Sequence, residues 1–174
     1  TPTFRHEQYE EYKANREETP EELHQQIGII EEMLSALRVP ALRVNGYEAD
    51  DIMATLAEQC RAEGRTCYLI SGDKDLLQLI GEHVTVLKPE NNDFTELDRD
   101  QVHEEWSIYP EQVGDYLALV GDSSDNVPGV KGIGAKTAAA LLSEFGSLSA
   151  IYDRLEEITQ KSRRAKLEEG RESA

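Results

Sequence analysis

The chain has 174 residues and a net charge of −17, set by 35 Asp and Glu against 18 Lys and Arg. That length suits one domain, or one with a small subdomain, and is enough to bury a substantial core. No apolar run approaches the roughly 18 residues that span a bilayer and no signal-peptide pattern opens the chain, so no membrane partner is expected and the protein reads as soluble and intracellular.

In chain order, Thr19-Pro20-Glu21-Glu22 has the form of a capping box with proline at the first helical position. Leu23, Ile27, Ile30, Leu34 and Leu37 then recur at spacings of four and three, which predicts an amphipathic helix ending near Arg38. Ala41, Leu42 and Val44 form a short apolar stretch before Gly46, read as a strand, and Ile52, Leu56 and Cys60 mark a second helix up to Gly64. "TCYLI" at 66–70 is a buried-strand candidate, "DLLQLI" at 75–80 a short helix and "VTVLK" at 84–88 another strand. The order strand, helix, strand, helix, strand predicts an α/β fold with a mostly parallel central sheet over residues 1–97. From Asp98 to 174 only helices are expected, forming a helical subdomain interrupted by the Gly-rich stretch 129–134. Cys60 and Cys67 lack metal-type spacing and are expected to be reduced core residues.

Three acidic groups interrupt these elements. "YEADD" places Glu48, Asp50 and Asp51 within four positions; acids at a helix start favour the dipole, yet such density also suits a divalent cation. Asp73 and Asp75 follow directly on a strand end, where open α/β sheets bind ligands, and Gly72 lets the backbone turn before them; an Asp N-cap with a neighbouring surface acid is the plainer alternative. "GDSSDN" brings Asp122 and Asp125 just after the helical segment "YLALV", and by itself it is a turn composition. Taken together, carboxylates at the ends of three elements match what hard divalent ions require, and paired ions of that kind drive phosphodiester hydrolysis.

The charge is also unevenly distributed. Residues 76–125 hold 12 acids and 2 bases, whereas residues 126–174 hold 7 acids and 8 bases, so a polyphosphate could be gripped at one end while metal ions neutralise the other. "VPGVKGIGAKTAAALL", 127–142, supplies the grip: Gly129, Gly132 and Gly134 with Lys131, Lys136 and no acid read as helix, tight turn, helix, a shape that brings backbone N–H groups and a helix N-terminus to a phosphate. A generic αα-hairpin would explain one glycine. Contacts of this type carry no base-sequence information.

"FRHEQYEEYKANR", "YEADD", "SGDKDLLQL", "GDSSDNVPGVKGIGAKTA" and "EFGSL" together closely resemble the 5′ nuclease superfamily, with its PIN-like core, and specifically the 5′–3′ exonuclease domains of bacterial DNA polymerase I and their free-standing relatives. The resemblance implies structure-specific 5′–3′ exonuclease and 5′-flap endonuclease activity on DNA, in primer removal and repair, with two Mg2+ or Mn2+ ions. It implies that Glu48 and Asp50 lie around the ions, that Asp51 is a ligand or an acid placed behind the ligands, that Asp73 and Asp75 serve the second ion, and that Asp122 and Asp125 complete that side. It makes 120–142 a helix–hairpin–helix contacting duplex DNA through Gly129, Lys131, Gly132, Gly134, Lys136 and Thr137, where the family often holds K+ on backbone carbonyls.

Tyr12, Lys13 and Arg16 fall where the family's helical arch faces the scissile phosphate, with Arg5 in the segment leading there; otherwise Lys13 and Arg16 would read as a solvated helical face paired to Glu10 and Glu17. The implied partners are DNA with a 5′ flap, nick or RNA primer and a covalently linked C-terminal polymerase domain, in a monomeric cytoplasmic, nucleoid-associated bacterial protein. The family also has a first strand, a first helix and two further metal-binding aspartates ahead of the segment that here begins "TPTFRHE", so the chain is expected to be an N-terminally truncated fragment, inactive alone, of an active parent. Two other readings compete: a DNA-junction module that binds without cutting, and an unrelated magnesium-dependent α/β domain such as a phosphatase or ribonuclease, which leaves the glycine–lysine hairpin without a purpose.

Overall fold

The computed structural model describes residues 2–17 and 19–174. After a short helix α1 (Phe4–Gln8), residues 10–15 form successive turns. The helix α2 (Glu21–Ala36) follows, starting one residue after Pro20, which occupies the cap position. The helix α3 (Ala49–Ala62) leads into the strand β1 (Cys67–Ile70), a 3-10 turn over Lys74–Leu79, then β2 (Val84–Glu90) and β3 (Asp93–Leu97). The second half is α4 (Arg99–Trp106), α5 (Val113–Val120), the two-residue strands β4 (Gly121–Asp122) and β5 (Val127–Pro128), α6 (Ala135–Phe145), α7 (Leu148–Asp153) and α8 (Lys161–Glu169).

The α/β class is as expected, but the sheet is mixed. β1 pairs with β2 in parallel, Leu69 opposite Val86, whereas β2 and β3 form an antiparallel hairpin with Val86 opposite Leu97. The turn at Asn91, with a left-handed φ of 42°, joins them, and β2 runs past the expected end at Lys88 through Pro89 to Glu90. The strand expected at 41–44 does not form among the described residues. Leu42 and Val44 are exposed, and with no neighbour to supply a ladder an apolar run alone does not make a strand. The amphipathic α2 forms, yet none of its residues is buried: Leu23, Ile27 and Ile30 remain exposed, as does Leu37 just past its end. Its local signals therefore specify the helix without specifying what it packs on.

A single buried cluster runs through both halves. Leu69, Val84 and Val86 of the sheet meet Ala57 of α3 and Leu76, Leu77 and Ile80 of the 3-10 segment, and continue through Val113 and Leu119 of α5 to Leu141 and Leu142 of α6 and Leu167 of α8. α3 and the 3-10 segment are thereby fixed against the sheet, which places the start of α3 and the end of β1 at the same edge. Cys60 and Cys67 are free thiols of intermediate exposure, less buried than expected for core cysteines. No helix among the described residues is long and apolar enough to cross a membrane.

Candidate active site

The three acidic groups converge. Glu48, Asp50, Asp51, Asp75, Asp122 and Asp125 line one cleft of about 670 Å³ with Arg5 and Tyr12, and Glu48, Asp50 and Asp125 also face an adjoining cleft of about 460 Å³ with Asp73, Lys13 and Arg16. Each arrives by its own route. Glu48 is the N-cap of α3, and Asp50 and Asp51 lie in its first turn. Asp73 caps the 3-10 segment by accepting from the Asp75 N–H at 3.0 Å, which bears out the cap half of the plainer reading, whereas Asp75 is half-buried and not a surface acid. Asp122 is buried at the end of α5, where it accepts from the Ser124 N–H at 2.8 Å.

Four bases interleave with these acids. Arg5 makes a two-pronged pair with Asp51, 2.8 Å on each arm, while the same carboxylate accepts from the Glu48 N–H at 2.8 Å. Both Asp51 oxygens are thus engaged, which fits the acid behind the ligands rather than a ligand. Those Arg5 hydrogen bonds hold its carboxyl below the usual range. Lys13 Nζ donates to both Glu48 oxygens at 2.8 and 2.7 Å and lies 3.5 Å from Asp125, and the buried Tyr12 hydroxyl shares its one proton between Glu48 at 3.0 Å and Asp125 at 2.9 Å. Burial, opposed by Lys13, pushes the Tyr12 phenol up to about 12, so it stays a donor. Arg16 pairs with Asp125 at 2.7 Å and Lys74 with Asp122 at 3.1 Å. The expected alternative partners of Lys13 and Arg16, Glu10 and Glu17, are not the ones used.

Seven carboxylates meet four bases, and the remainder fits divalent cations. Asp75 Oδ1 is buried without a hydrogen-bond partner, and burial, then Asp73 and Asp122, push that carboxyl up to about 6. Asp50 is raised in the same way, by burial and then by Asp73 and Glu48. An orphaned, strained carboxylate among like charges is what a bound cation relieves. Among the described residues no three carboxylates stand close enough to hold an ion together, and Glu48, Asp51, Asp122 and Asp125 are each paired with a base.

The Asp75 shift has a consequence for stability. Its folded pKa lies above the unfolded value of 3.8, so the charged form destabilises the metal-free fold above about pH 6 and the penalty vanishes below about pH 4. Asp75→Asn is expected to stabilise the protein in EDTA at pH 8 by about 1–2 kcal/mol, discounted for partial exposure, and to give no gain at pH 4. Thermal melts at the two pH values check this.

The three hairpin glycines divide the work differently from the sequence reading. A Cβ on Gly129 would lie 2.3 Å from Gly121 N and from the Val120 carbonyl carbon, so Gly129 permits close packing of β5 on the end of α5. Gly132 has φ +82° and lies under the Lys166 stem, whose Nζ donates to its carbonyl at 3.2 Å. Only Gly134, the N-cap of α6, has open space above it, which leaves its helix start accessible beside Lys136 and Thr137. Lys131 is exposed on the turn. Sequence reasoning missed Lys74, Asn15 and Asn126, whose partners lie 48 or more residues away and leave no local signal.

Comparison with known proteins identifies the family and the fold. Residues 1–107 match the model of the 5′–3′ exonuclease N-terminal resolvase-like domain, and residues 108–174 that of the 5′–3′ exonuclease C-terminal SAM fold. DNA polymerase I of Borreliella burgdorferi is 48% identical over 168 residues, 97% of this chain and 18% of the relative; that of Thermus thermophilus is 44% identical over 172 residues, 99% and 20%. The chain thus spans about a fifth of the length of these relatives. A structure of T5 5′-exonuclease with bound zinc superposes with a TM-score of 0.80 at 28% identity, over 99% of this chain and 67% of that one. The catalytic core of Rad2 with DNA gives 0.59 at 21% identity, over 87% and 50%, a likeness of fold. The chain belongs to the 5′–3′ exonuclease family.

Proposed function

We propose that this chain is the nuclease region of a structure-specific 5′–3′ exonuclease and 5′-flap endonuclease that hydrolyses DNA phosphodiesters with two divalent ions, magnesium or manganese. The observation that carries the reading is the meeting of three acidic groups and the Tyr12–Lys13–Arg16 turn on adjoining clefts. Asp73, Asp75, Asp122 and Asp125 with Asp50 would hold one ion, and Glu48 with Asp50 would contribute to the other. Ions held there would supply the charge stabilisation that in-line displacement at a phosphodiester demands. Lys13 and Arg16 stabilise the charge that develops on the phosphate, since their cationic heads already sit at the rim of the carboxylates. Tyr12 orients Glu48 and Asp125 through its hydroxyl, and the Arg5–Asp51 pair fixes the start of α3.

The division into a core over 1–97 and a helical DNA-binding part over 98–174 belongs to the same proposal. Gly134, Lys131, Lys136 and Thr137 at the α6 start contact the duplex backbone, with Gly129 and Gly132 shaping the turn. A potassium ion on the hairpin would use backbone carbonyls, of which that of Gly132 already accepts from Lys166. The substrate is DNA with a 5′ flap, nick or RNA primer, and the setting a monomeric bacterial protein of the cytoplasm and nucleoid carrying a polymerase domain. The named relatives are DNA polymerase I, and a structure of bacteriophage T5 flap endonuclease is described as a complex with DNA and metal ions.

The test is cleavage by the intact protein of a 5′-flap duplex, a blunt duplex and a single strand of one sequence. Release of the flap well ahead of the other two supports the reading, and equal cutting of all three contradicts it. Lys136→Ala is expected to weaken flap binding and to make its logarithmic salt dependence shallower by about one unit without changing which structure is preferred. An unchanged slope in a binding titration would mean that Lys136 touches no phosphate.

A further inference from the structure

The turn that carries Tyr12, Lys13 and Arg16 has little regular structure of its own. Residues 10–15 are linked only by short-range turns, such as Tyr12 N–H to the Tyr9 carbonyl and Ala14 N–H to the Glu11 carbonyl, and Lys13 adopts a left-handed φ of 57° that a lysine does not favour. Something outside the turn must hold it. Besides Glu48, which the Tyr12 and Lys13 side chains reach, the partner is the loop 123–126, more than 100 residues away in sequence. The Asn126 side-chain amide donates to the Glu11 carbonyl at 2.7 Å, the Asn15 amide donates to the Ser123 carbonyl at 2.8 Å, the Lys13 N–H donates to the Asp125 carbonyl at 2.9 Å, and Arg16 Nε donates to the Ser124 carbonyl at 3.3 Å.

The loop is itself pre-shaped. Asp122 accepts from Ser124, and Asn126 has a left-handed φ of 58°, a conformation that asparagine tolerates better than most residues. Loop and turn therefore interlock from both ends: Asn126 grips the turn ahead of Lys13, and Asn15 grips the loop ahead of Asp125. Of these contacts, only the two asparagine amides come from side chains with no charge and no place among the carboxylates. They are suited to position other groups rather than to act on a phosphate.

We infer that Asn126 and Asn15 are positioning residues that lock the 11–16 turn onto the 123–126 loop, so that Lys13 and Arg16 are held in register with Glu48 and Asp125. The inference rests on the nuclease reading for its kinetic consequence and on the fold alone for its structural one. Removing the Asn126 amide frees the Glu11 carbonyl, loosens the left-handed Lys13 backbone and lets both cations leave the rim, while Lys136 and the α6 start proposed to grip the duplex are untouched.

The test uses the intact protein. Asn126→Gly keeps access to positive φ and removes the amide, and Asn126→Asp keeps the shape but replaces the donor with an acceptor. Both are expected to lower flap-cleavage kcat by roughly 10-fold through lost positioning, with KM within about 2-fold of the original. In a Lys13→Met background, Asn126→Gly should add little further loss, because the two act through one arrangement. Full additivity of the two losses, restoration of activity by Asn126→Asp, or a rise in KM with kcat preserved would overturn the inference. Hydrogen exchange decides independently of activity. In Asn126→Gly the Lys13 and Arg16 amides should exchange at least 10-fold faster while those of β1 and β2 are unchanged, in line with local opening. Unchanged exchange at Lys13, or equal acceleration in the sheet, would contradict it. If the unaltered protein cuts no flap, the nuclease reading fails and the exchange result alone decides this one.

Discussion

Asp75→Asn in the intact protein is expected to lower flap cleavage by roughly 10²–10³-fold while flap binding stays within about 3-fold, because the carboxylate serves the ions and the hairpin serves the grip. Asp75 is the acid whose oxygen is buried without a partner, so a neutral amide there removes the strongest demand for a cation. Asp73→Asn should behave similarly, with an added cost to the cap of the 3-10 segment. Single-turnover cleavage and equilibrium binding on the same flap check the separation. Parallel loss of binding and cleavage would place Asp75 in the grip instead. The same substitution is expected to stabilise the metal-free protein at pH 8, and a loss of activity accompanied by a raised melting temperature would not be unfolding.

Gly129→Ala is expected to be the most damaging single change to the fold. Its methyl group would meet backbone atoms of Val120 and Gly121 at 2.3 Å, and neither can move without breaking the β4–β5 pair that turns the chain into the hairpin. Overpacking against backbone costs about 3 kcal/mol or more, a large share of a typical domain stability and worth about 10 °C of melting temperature at this size. Gly134→Ala is the control: nothing lies within 4 Å of its Cβ, so stability should change by less than about 1 kcal/mol, while duplex binding weakens if a phosphate approaches that helix start. Melting curves and a duplex titration on both variants distinguish packing from contact. Equal stability of the two would contradict the division of work assigned to the glycines.

How much of this was legible in the sequence depends on the range of the signal. The acids of "YEADD", "GDKD" and "GDSSD" announce themselves by type and spacing, and each does sit at the end of an element, because capping and turn preferences are local. The partners of those acids are not local. Arg5 and Asp51 are 46 positions apart, and Lys13 and Asp125 over 100, so no pattern in the sequence shows that the clusters are interleaved with bases. The hairpin glycines stand out in the sequence as a group, but composition cannot separate a residue that admits a neighbouring backbone, Gly129, from one that leaves open space, Gly134. Likewise Leu42 and Val44 have strand-like composition, yet a strand is a pairing and not a property of one segment. The hairpin partner β3 was missed for the converse reason: Asp93 to Leu97 is polar and edge-like but is completed by its ladder with β2.

The central claim is that the converging carboxylates make a divalent-ion-dependent nuclease. Its most direct test is an end-labelled 5′-flap incubated with the intact protein across a magnesium titration and in EDTA. The account predicts cleavage near the junction, leaving a 5′-phosphate, that rises with magnesium and is absent in EDTA. Cleavage that persists in EDTA, or tight flap binding with no cleavage at any magnesium or manganese concentration, would contradict it, and the second result would favour a junction-binding module.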